Sequence, residues 1–196
     1  MNKYIFGTLL LIAFISASCD YEYLTDGGVH DPKVDMTTYD YLNTHSWKVF
    51  DTLILLIDHN NMKDELNRAG TLLAVTDYSF KKYMLANWTL DSLKKHVTAD
   101  TLRNYLFEQP ILWADLSVEA KDYQSISGKE LQFQLKEQTD GYYSEWTASP
   151  VYRLAINRVR ESSTSAINYC QTSNVQTNTG VIHAMENMHV FNFGYH

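Results

Sequence analysis

The seven histidines and two cysteines are the side chains of this chain best suited to bind a metal or to act as nucleophiles. No two histidines stand four residues apart, the spacing at which a helix presents both rings to one zinc ion, and no Cys-x-x-Cys occurs. His183 and His189 are the closest pair, and their separation does not enforce a shared ligand position. We therefore expect no metal and no cofactor.

Other patterns that carry chemistry are also missing from the sequence, which has no Gly-x-Ser-x-Gly elbow, no phosphate-binding loop and no dinucleotide fingerprint. Asp140 and Glu145 could meet in a cleft, as glycosidases require, but sequence fixes no distance between them. His183 lies in a strand-like run, which predicts a hydrogen-bonded core histidine. We predict a protein that is not an enzyme. A hydrolase would instead require a cleft in which two acids, or His183 and an acid, converge.

The first residues have the pattern of a secretory signal. Lys3 is followed by an apolar run, Tyr4 to Ile15, that is too short to span a bilayer, and then by small residues. Removal of residues 1–18 would leave Cys19 first. A cysteine there resembles the bacterial lipoprotein signal, in which the thiol carries diacylglycerol and the new amine a third acyl chain. The alternative is an ordinary signal peptidase site, which Ser-Ala-Ser also suits.

Residues 19–37 are polar, contain two glycines and a proline, and show no helical or strand period, so we expect a flexible tether. Its acidic start resembles the export tag of some surface lipoproteins, whereas an aspartate at position 20 would favour inner-membrane retention under enteric sorting rules. We expect a lipid-anchored protein of the bacterial cell envelope, on the outer membrane and exposed at its surface. The membrane is therefore one expected partner.

The composition fits one globular domain, which we place at residues 38–196. Hydrophobic residues make up 45% and charged residues 20% of 196 residues. Without Lys3 the chain keeps 15 basic and 23 acidic residues, and it has no basic run, so we expect no nucleic-acid partner. If Cys19 is acylated, Cys170 has no disulfide partner, and we expect it to be a buried apolar residue.

The first half of the chain has helical period. Apolar residues recur as on one helix face at Val49, Phe50, Leu53, Ile54 and Ile57. A shorter helix ends near Gly70, and the apolar run 71–75 predicts a buried strand. Asp77 is placed to cap the next helix, which carries Phe80.

The second half has strand period. Residues 129–136 and 152–156 alternate between apolar and polar side chains, and 181–182 and 190–193 are predicted to be closing strands. Helices followed by antiparallel strands indicate the α+β class with a mostly antiparallel sheet.

Two motifs resemble those of fasciclin domains. The segment TLLAVTDYSF is similar to T-L-F-A-P-T-D-x-A-F, with matches at Thr71, Leu72, Ala74, Thr76, Asp77 and Phe80. A second segment is similar to N-G-V-I-H-V-I-D, with matches at Asn178, Gly180, Val181, Ile182 and His183. Leu73, Val75 and an inserted Thr179 depart from these patterns.

The resemblance implies a β-wedge or sandwich of about seven strands with N-terminal helices packed against it, and a role in adhesion. Many fasciclin domains carry a Tyr-His pair implicated in integrin adhesion, but Glu108 and Gln109 stand at that place here. Integrin binding through that pair is therefore not carried over. We predict that Gly180 has a positive φ or permits close backbone approach.

An aromatic segment, TDGYYSEWTASP, offers a possible ligand contact at Tyr142, Tyr143 and Trp146, because aromatic rings in a loop can stack on sugars. The alternative is that these rings fold back onto the sheet. Our leading hypothesis is a lipid-anchored adhesion or extracellular binding protein with a protein or glycan ligand. The alternative is an accessory glycan-binding lipoprotein of a polysaccharide uptake system.

Overall fold

A computed structural model describes residues 32–138, 150–158 and 167–194. The α-helices in these ranges are α1 Thr38–Thr44, α2 Asp51–His59, α3 Lys63–Arg68, α4 Asp77–Tyr83, α5 Leu90–His96 and α6 Ala99–Arg103. The β-strands are β1 Thr71–Ala74, β2 Leu106–Phe107, β3 Lys121–Gln124, β4 Glu130–Glu137, β5 Tyr152–Arg158, β6 Asn168–Gln176 and β7 Val181–Met185. None of the described helices has the length and apolar content needed to cross a bilayer.

The strands are hydrogen-bonded in the order β2-β1-β7-β6-β5-β4-β3. Strands β1 and β7 pair in parallel, with Thr71 opposite Val181 and Ala74 opposite Ala184, and every other pairing of named strands is antiparallel. The predicted α+β class with about seven strands and a mostly antiparallel sheet is confirmed. The β1–β7 pairing also places the two fasciclin-like motifs side by side, although about a hundred residues separate them in sequence.

The regular spacing of hydrophobic residues along the helices and strands explains most of the core. The apolar stripe of α2 buries Leu53 and Ile57 in the core, and alternation in β4 buries Leu131 and Phe133 while neighbouring glutamines stay half-exposed. All four residues of β1 are buried, which is the pattern of a strand covered on both faces. The helices therefore pack over the β1 end of the sheet.

Asp77 caps a helix, but not the helix that the sequence predicted. Its Oδ1 accepts a hydrogen bond from the backbone N–H of Thr52 in the first turn of α2 (2.8 Å), and its own N–H donates to Val49 O (2.9 Å). The residue before α2, Phe50, has no side-chain acceptor for that turn. Asp77 supplies the missing acceptor from across the interface, so the prediction that it caps its own helix was wrong.

The predicted closing strand at 190–193 was also wrong, because this segment forms a tight turn. Phe191 is buried and its ring lies 5.4 Å from that of Tyr105. The next residue, Asn192, donates its N–H to the Tyr105 hydroxyl (2.7 Å) and has φ of 53°. Asn192 and Phe193 both have the left-handed conformation, which is incompatible with an extended strand.

The amino-terminal boundary of the folded unit also differs from the predicted one. Val34 N–H donates to Gln176 O (2.8 Å), and Asn178 N–H donates to Met36 O (2.9 Å). The compact unit begins at Pro32, so the predicted tether of residues 19–37 overlaps the domain at its last residues.

Candidate functional site

The matched motif residues build a buried polar network between β1, β7 and the segment that follows β2. Thr71 Oγ1 donates to Gln109 O (2.8 Å) and accepts from Ile111 N–H (2.7 Å). His183 Nε2 lies 2.8 Å from Ile111 O, and its Nδ1 accepts from Asn174 N–H (3.2 Å). The proton of the ring is therefore on Nε2. This network holds the segment against the sheet.

Burial lowers the pKa of His183 to about 4, so the ring is neutral near pH 7. Both ring nitrogens of His183 are hydrogen-bonded to backbone groups, those of Ile111 and Asn174, and neither is bonded to a carboxylate. The cleft in which His183 and an acid converge, which the hydrolase hypothesis requires, is thus not formed at this histidine by the described residues.

His189 occupies a second buried network. Its Nε2 accepts from the hydroxyl of Tyr105 (2.8 Å), and its Nδ1 lies 2.8 Å from Asn168 Oδ1. Burial lowers the pKa of His189 to about 3 and raises the pKa of Tyr105 above its usual value. Within the described residues, no group of three His, Cys, Asp or Glu side chains is arranged to hold a metal.

Gly180 lies where two backbones approach closely. A Cβ at this position would stand 2.6 Å from Ala69 O and 3.1 Å from Gly70 O, and its φ is not positive. Of the two roles that the sequence left open for Gly180, the structure has the close approach. This contact locks the turn after β6 against the residues that precede β1.

The other matched residues are also structural. Ala74, Thr76 and Phe80 are buried, and the Phe80 ring lies 4.8 Å from that of Phe191. Asn178 Nδ2 donates to Asp35 Oδ1 (2.8 Å) at the surface.

The prediction that Cys170 is a buried residue is confirmed, and other predicted positions fall beyond the described ranges. Cys170 is free and buried, and burial raises the pKa of its thiol, so it is not positioned to act as a nucleophile. The lipidation site Cys19 and the possible ligand contacts Tyr142, Tyr143 and Trp146 lie outside the described residues.

The sequence did not single out the most exposed aromatic side chains of the described ranges. Trp47 is 81% exposed and Tyr78 is 55% exposed. They border a pocket of about 250 Å³, the Trp47–Tyr78 pocket, which is lined by Trp47, Lys48, Val49, Asp77, Tyr78 and Lys81. The sequence feature that could have identified Trp47 is a tryptophan that lies between polar residues in a short segment between two helices.

Backbone contacts fix the two walls of this pocket. Lys48 has φ of 51°, its N–H donates to His45 O (3.0 Å), and its Nζ donates to Asn43 O (2.8 Å). The Asp77 contacts described above tie the start of α4 to the start of α2. A lysine in the left-handed region is uncommon and is held there by its surroundings. These contacts position the backbone of both walls of the pocket.

Behind Trp47, the ring of His45 packs edge-on against Trp47 and Phe50 at centroid distances of 6.2 and 5.1 Å. Its Nδ1 is buried and has no hydrogen-bond partner among the described residues. A polar atom left without a partner costs stability. The His45 ring therefore supports Trp47 from behind at some cost in stability.

A larger groove of about 590 Å³ lies where β5 and β6 separate. Its lining is Trp113, Gln138, Val151, Tyr152, Arg153, Leu154, Cys170, Gln171 and Ser173. The one charged group of this lining is already engaged, because Arg153 pairs with Glu186 (2.9 Å) and lies over the ring of Tyr169 (4.5 Å). We therefore favour the Trp47–Tyr78 pocket as the candidate site.

No family profile and no curated protein matches this chain. Among solved structures, the chain is similar to a FAS1 domain pair from the insect cell adhesion molecule fasciclin I. The match has 12% sequence identity and a TM-score of 0.47, and it covers 74% of this chain. The chain spans less than half, 45%, of that domain pair. Fasciclin is the family that the two sequence motifs resemble. At this identity the similarity transfers no ligand and no partner.

Proposed function

We propose that this chain is a non-enzymatic binding protein of the bacterial cell envelope, anchored by lipid on Cys19 and acting in adhesion or extracellular binding. The observation that carries the binding role is the Trp47–Tyr78 pocket, in which the two most exposed aromatic rings of the described ranges border one cavity. Trp and Tyr dominate the binding energy of many interfaces because they bury large areas at low entropic cost.

The absence of catalysis is supported by what the buried histidines contact. His183 and His189 are enclosed, neutral near pH 7 and bonded to backbone, amide and phenol groups. A general base needs access to a substrate proton, which neither ring has.

The anchor is supported by the sequence alone. Several acyl chains bind a bilayer far more firmly than one, so a triacylated Cys19 would hold the domain at a membrane without any spanning helix. Mass spectrometry of the mature amino terminus should find acylated Cys19, and Cys19→Ala should release the protein from the membrane fraction. A free thiol at Cys19 in the mature protein would refute the anchor.

The binding role is tested on the chain from Asp20 onward, screened against extracellular matrix proteins and polysaccharides. Trp47→Ala should weaken any interaction found by about tenfold, since it removes a large exposed contact surface. Val118→Ala is the matched control, because Val118 is 56% exposed and does not line the pocket. Equal weakening by both variants, or no ligand in the screen, would contradict the proposal.

The alternative role, an accessory glycan-binding protein of a polysaccharide uptake system, rests on Tyr142, Tyr143 and Trp146. Replacing these three by alanine should abolish glycan binding if their segment forms the site. Retained binding in that variant, with loss in Trp47→Ala, assigns recognition to the pocket instead.

A further inference from the structure

We propose that the Trp47–Tyr78 pocket binds an acidic sugar, a pyranose ring that carries a carboxylate, within an extracellular polysaccharide. This inference rests on the proposed binding function and names the ligand class of its site. It is carried by the combination of two exposed aromatic rings and two lysines around one small cavity.

The aromatic rings suit a sugar because the C–H face of a pyranose stacks on an indole or phenol ring. An 81% exposed Trp47 leaves most of its ring surface accessible, and Tyr78 is on the helix that faces it across the pocket. Tyr and Trp also combine an apolar body with a polar tip, which matches the mixed surface of a sugar. Burying these faces supplies the non-polar part of the binding energy.

The charges of the pocket favour an anionic ligand. Lys48 and Lys81 contribute two ammonium groups, and Asp77 contributes the one carboxylate of the lining. Asp77 Oδ1 accepts from Thr52 N–H (2.8 Å) and Lys48 Nζ donates to Asn43 O (2.8 Å), and neither bond removes a charge. The lining therefore carries two positive charges against one negative charge. The protein as a whole has a net charge of −7, so a pair of lysines beside exposed aromatics contrasts with the general surface.

The size of the pocket and the backbone contacts of its walls favour one sugar ring over a long peptide. A cavity of about 250 Å³ is small for a drug-sized ligand, whose sites span about 300 to 1,000 Å³. The contacts of Asp77 to Thr52 and Val49 hold both walls before any ligand arrives. Preorganisation of this kind lowers the entropic cost of binding a small group.

The test compares two probes that differ by the carboxylate, an oligogalacturonate and a neutral galacto-oligosaccharide of the same length. Calorimetry at pH 7 with the chain from Asp20 onward should show tighter binding of the oligogalacturonate. Trp47→Ala should weaken binding of that acidic probe by about tenfold, and Trp47→Phe should restore part of it. Lys81→Met should weaken the acidic probe by about threefold and leave the neutral probe unchanged.

Two controls separate the pocket from general surface effects. Lys95→Met removes an exposed lysine outside the pocket, and Val118→Ala removes an exposed apolar side chain outside it; neither should change binding of either probe. Raising the salt concentration should weaken the acidic probe more than the neutral one.

Each of the remaining outcomes refutes a different part of the proposal. Equal binding of both probes through Trp47 refutes the acidic sugar but leaves the binding function intact. Sugar binding that is unchanged in Trp47→Ala refutes this pocket as the site. Binding of a matrix protein through Trp47 with no sugar binding refutes the ligand class alone. Absence of any ligand in both this experiment and the wider screen refutes the proposed function as well.

Discussion

The β1–β7 interior and the Trp47–Tyr78 pocket meet within one motif, yet they use its residues in opposite ways. Thr76 and Phe80 of TLLAVTDYSF are buried and belong to the matched positions, whereas Tyr78 is 55% exposed and occupies the variable position x of the pattern. Residues that match the fasciclin pattern thus hold the fold together. The ligand preference of this chain is expected at positions that the pattern leaves open.

A large effect that separates the two regions is expected at Gly180. Gly180→Ala would place a Cβ 2.6 Å from Ala69 O, which is backbone and cannot move without shifting the start of β1. We expect a loss of about 3 kcal/mol or more in the free energy of unfolding, measured by urea denaturation. Gly128→Asn is the control, because Gly128 has positive φ but no close neighbour, and it should cost about 1 kcal/mol. Equal costs would contradict the steric explanation.

The buried histidines should make the interior sensitive to acid. The folded pKa values of His183 (about 4) and His189 (about 3) lie below the unfolded value near 6.5, so below pH 6.5 the unfolded state binds protons that the native state does not. This stability is fully present above pH 6.5 and is lost as the pH falls toward the folded pKa values. Lowering the pH from 7.5 to 5 should cost on the order of 2 kcal/mol per histidine.

Urea denaturation of His183→Gln at both pH values isolates one of these contributions. Glutamine can donate to Ile111 O and accept from Asn174 N–H, so the variant keeps the hydrogen-bonding pattern of the neutral ring but cannot be protonated. Its loss between pH 7.5 and 5 should be smaller than that of the unmodified chain by on the order of 2 kcal/mol. An unchanged loss would show that His183 is not the group that titrates.

Asp77 links the two regions, and its substitution should affect the start of α2 more than its own helix. Asp77→Ala should lower the free energy of unfolding by about 1 kcal/mol, as expected for loss of a helix cap. Hydrogen exchange should become faster at the amide of Thr52. Thr89→Ala is a matched control, because Thr89 caps α5 from its own N-cap position and should expose the amide of Ser92 instead. Faster exchange confined to the first turn of α4 would instead indicate that Asp77 caps its own helix, as the sequence predicted.

The helices and strands that the sequence predicted are those whose buried residues recur at a regular spacing. The stripe of α2 and the alternation of β4 match the structure because each element has one apolar face directed at the core. Strand β6 was not predicted, because its residues 171–174 are polar and its place in the sheet is fixed by pairing with β5, with β7 and with the amino-terminal residues. Such a strand forms because its neighbouring strands pair with it, and the spacing of apolar residues within one segment does not indicate that pairing.

The candidate site was less predictable than the fold. The cap from Asp77 to Thr52 spans 25 residues, and the turn at Asn192 depends on a hydroxyl 87 residues away. Both are tertiary contacts, so no local pattern indicates them. Trp47 and Tyr78 are 31 positions apart in sequence, and only the packing of α4 against the start of α2 brings them to one pocket.

The smallest effect on stability is expected at the Trp47–Tyr78 pocket, in contrast to the β1–β7 interior. Trp47→Ala and Tyr78→Ala should each change the free energy of unfolding by less than about 0.5 kcal/mol, because both rings are largely solvated in the folded and unfolded states. Urea denaturation of each variant, with Val118→Ala alongside, measures this. Near-neutral stability combined with weakened ligand binding would assign these rings to recognition. A loss as large as that at Gly180 would instead mean that Trp47 packs on its neighbours to hold the fold, and the distinction between the two regions would disappear.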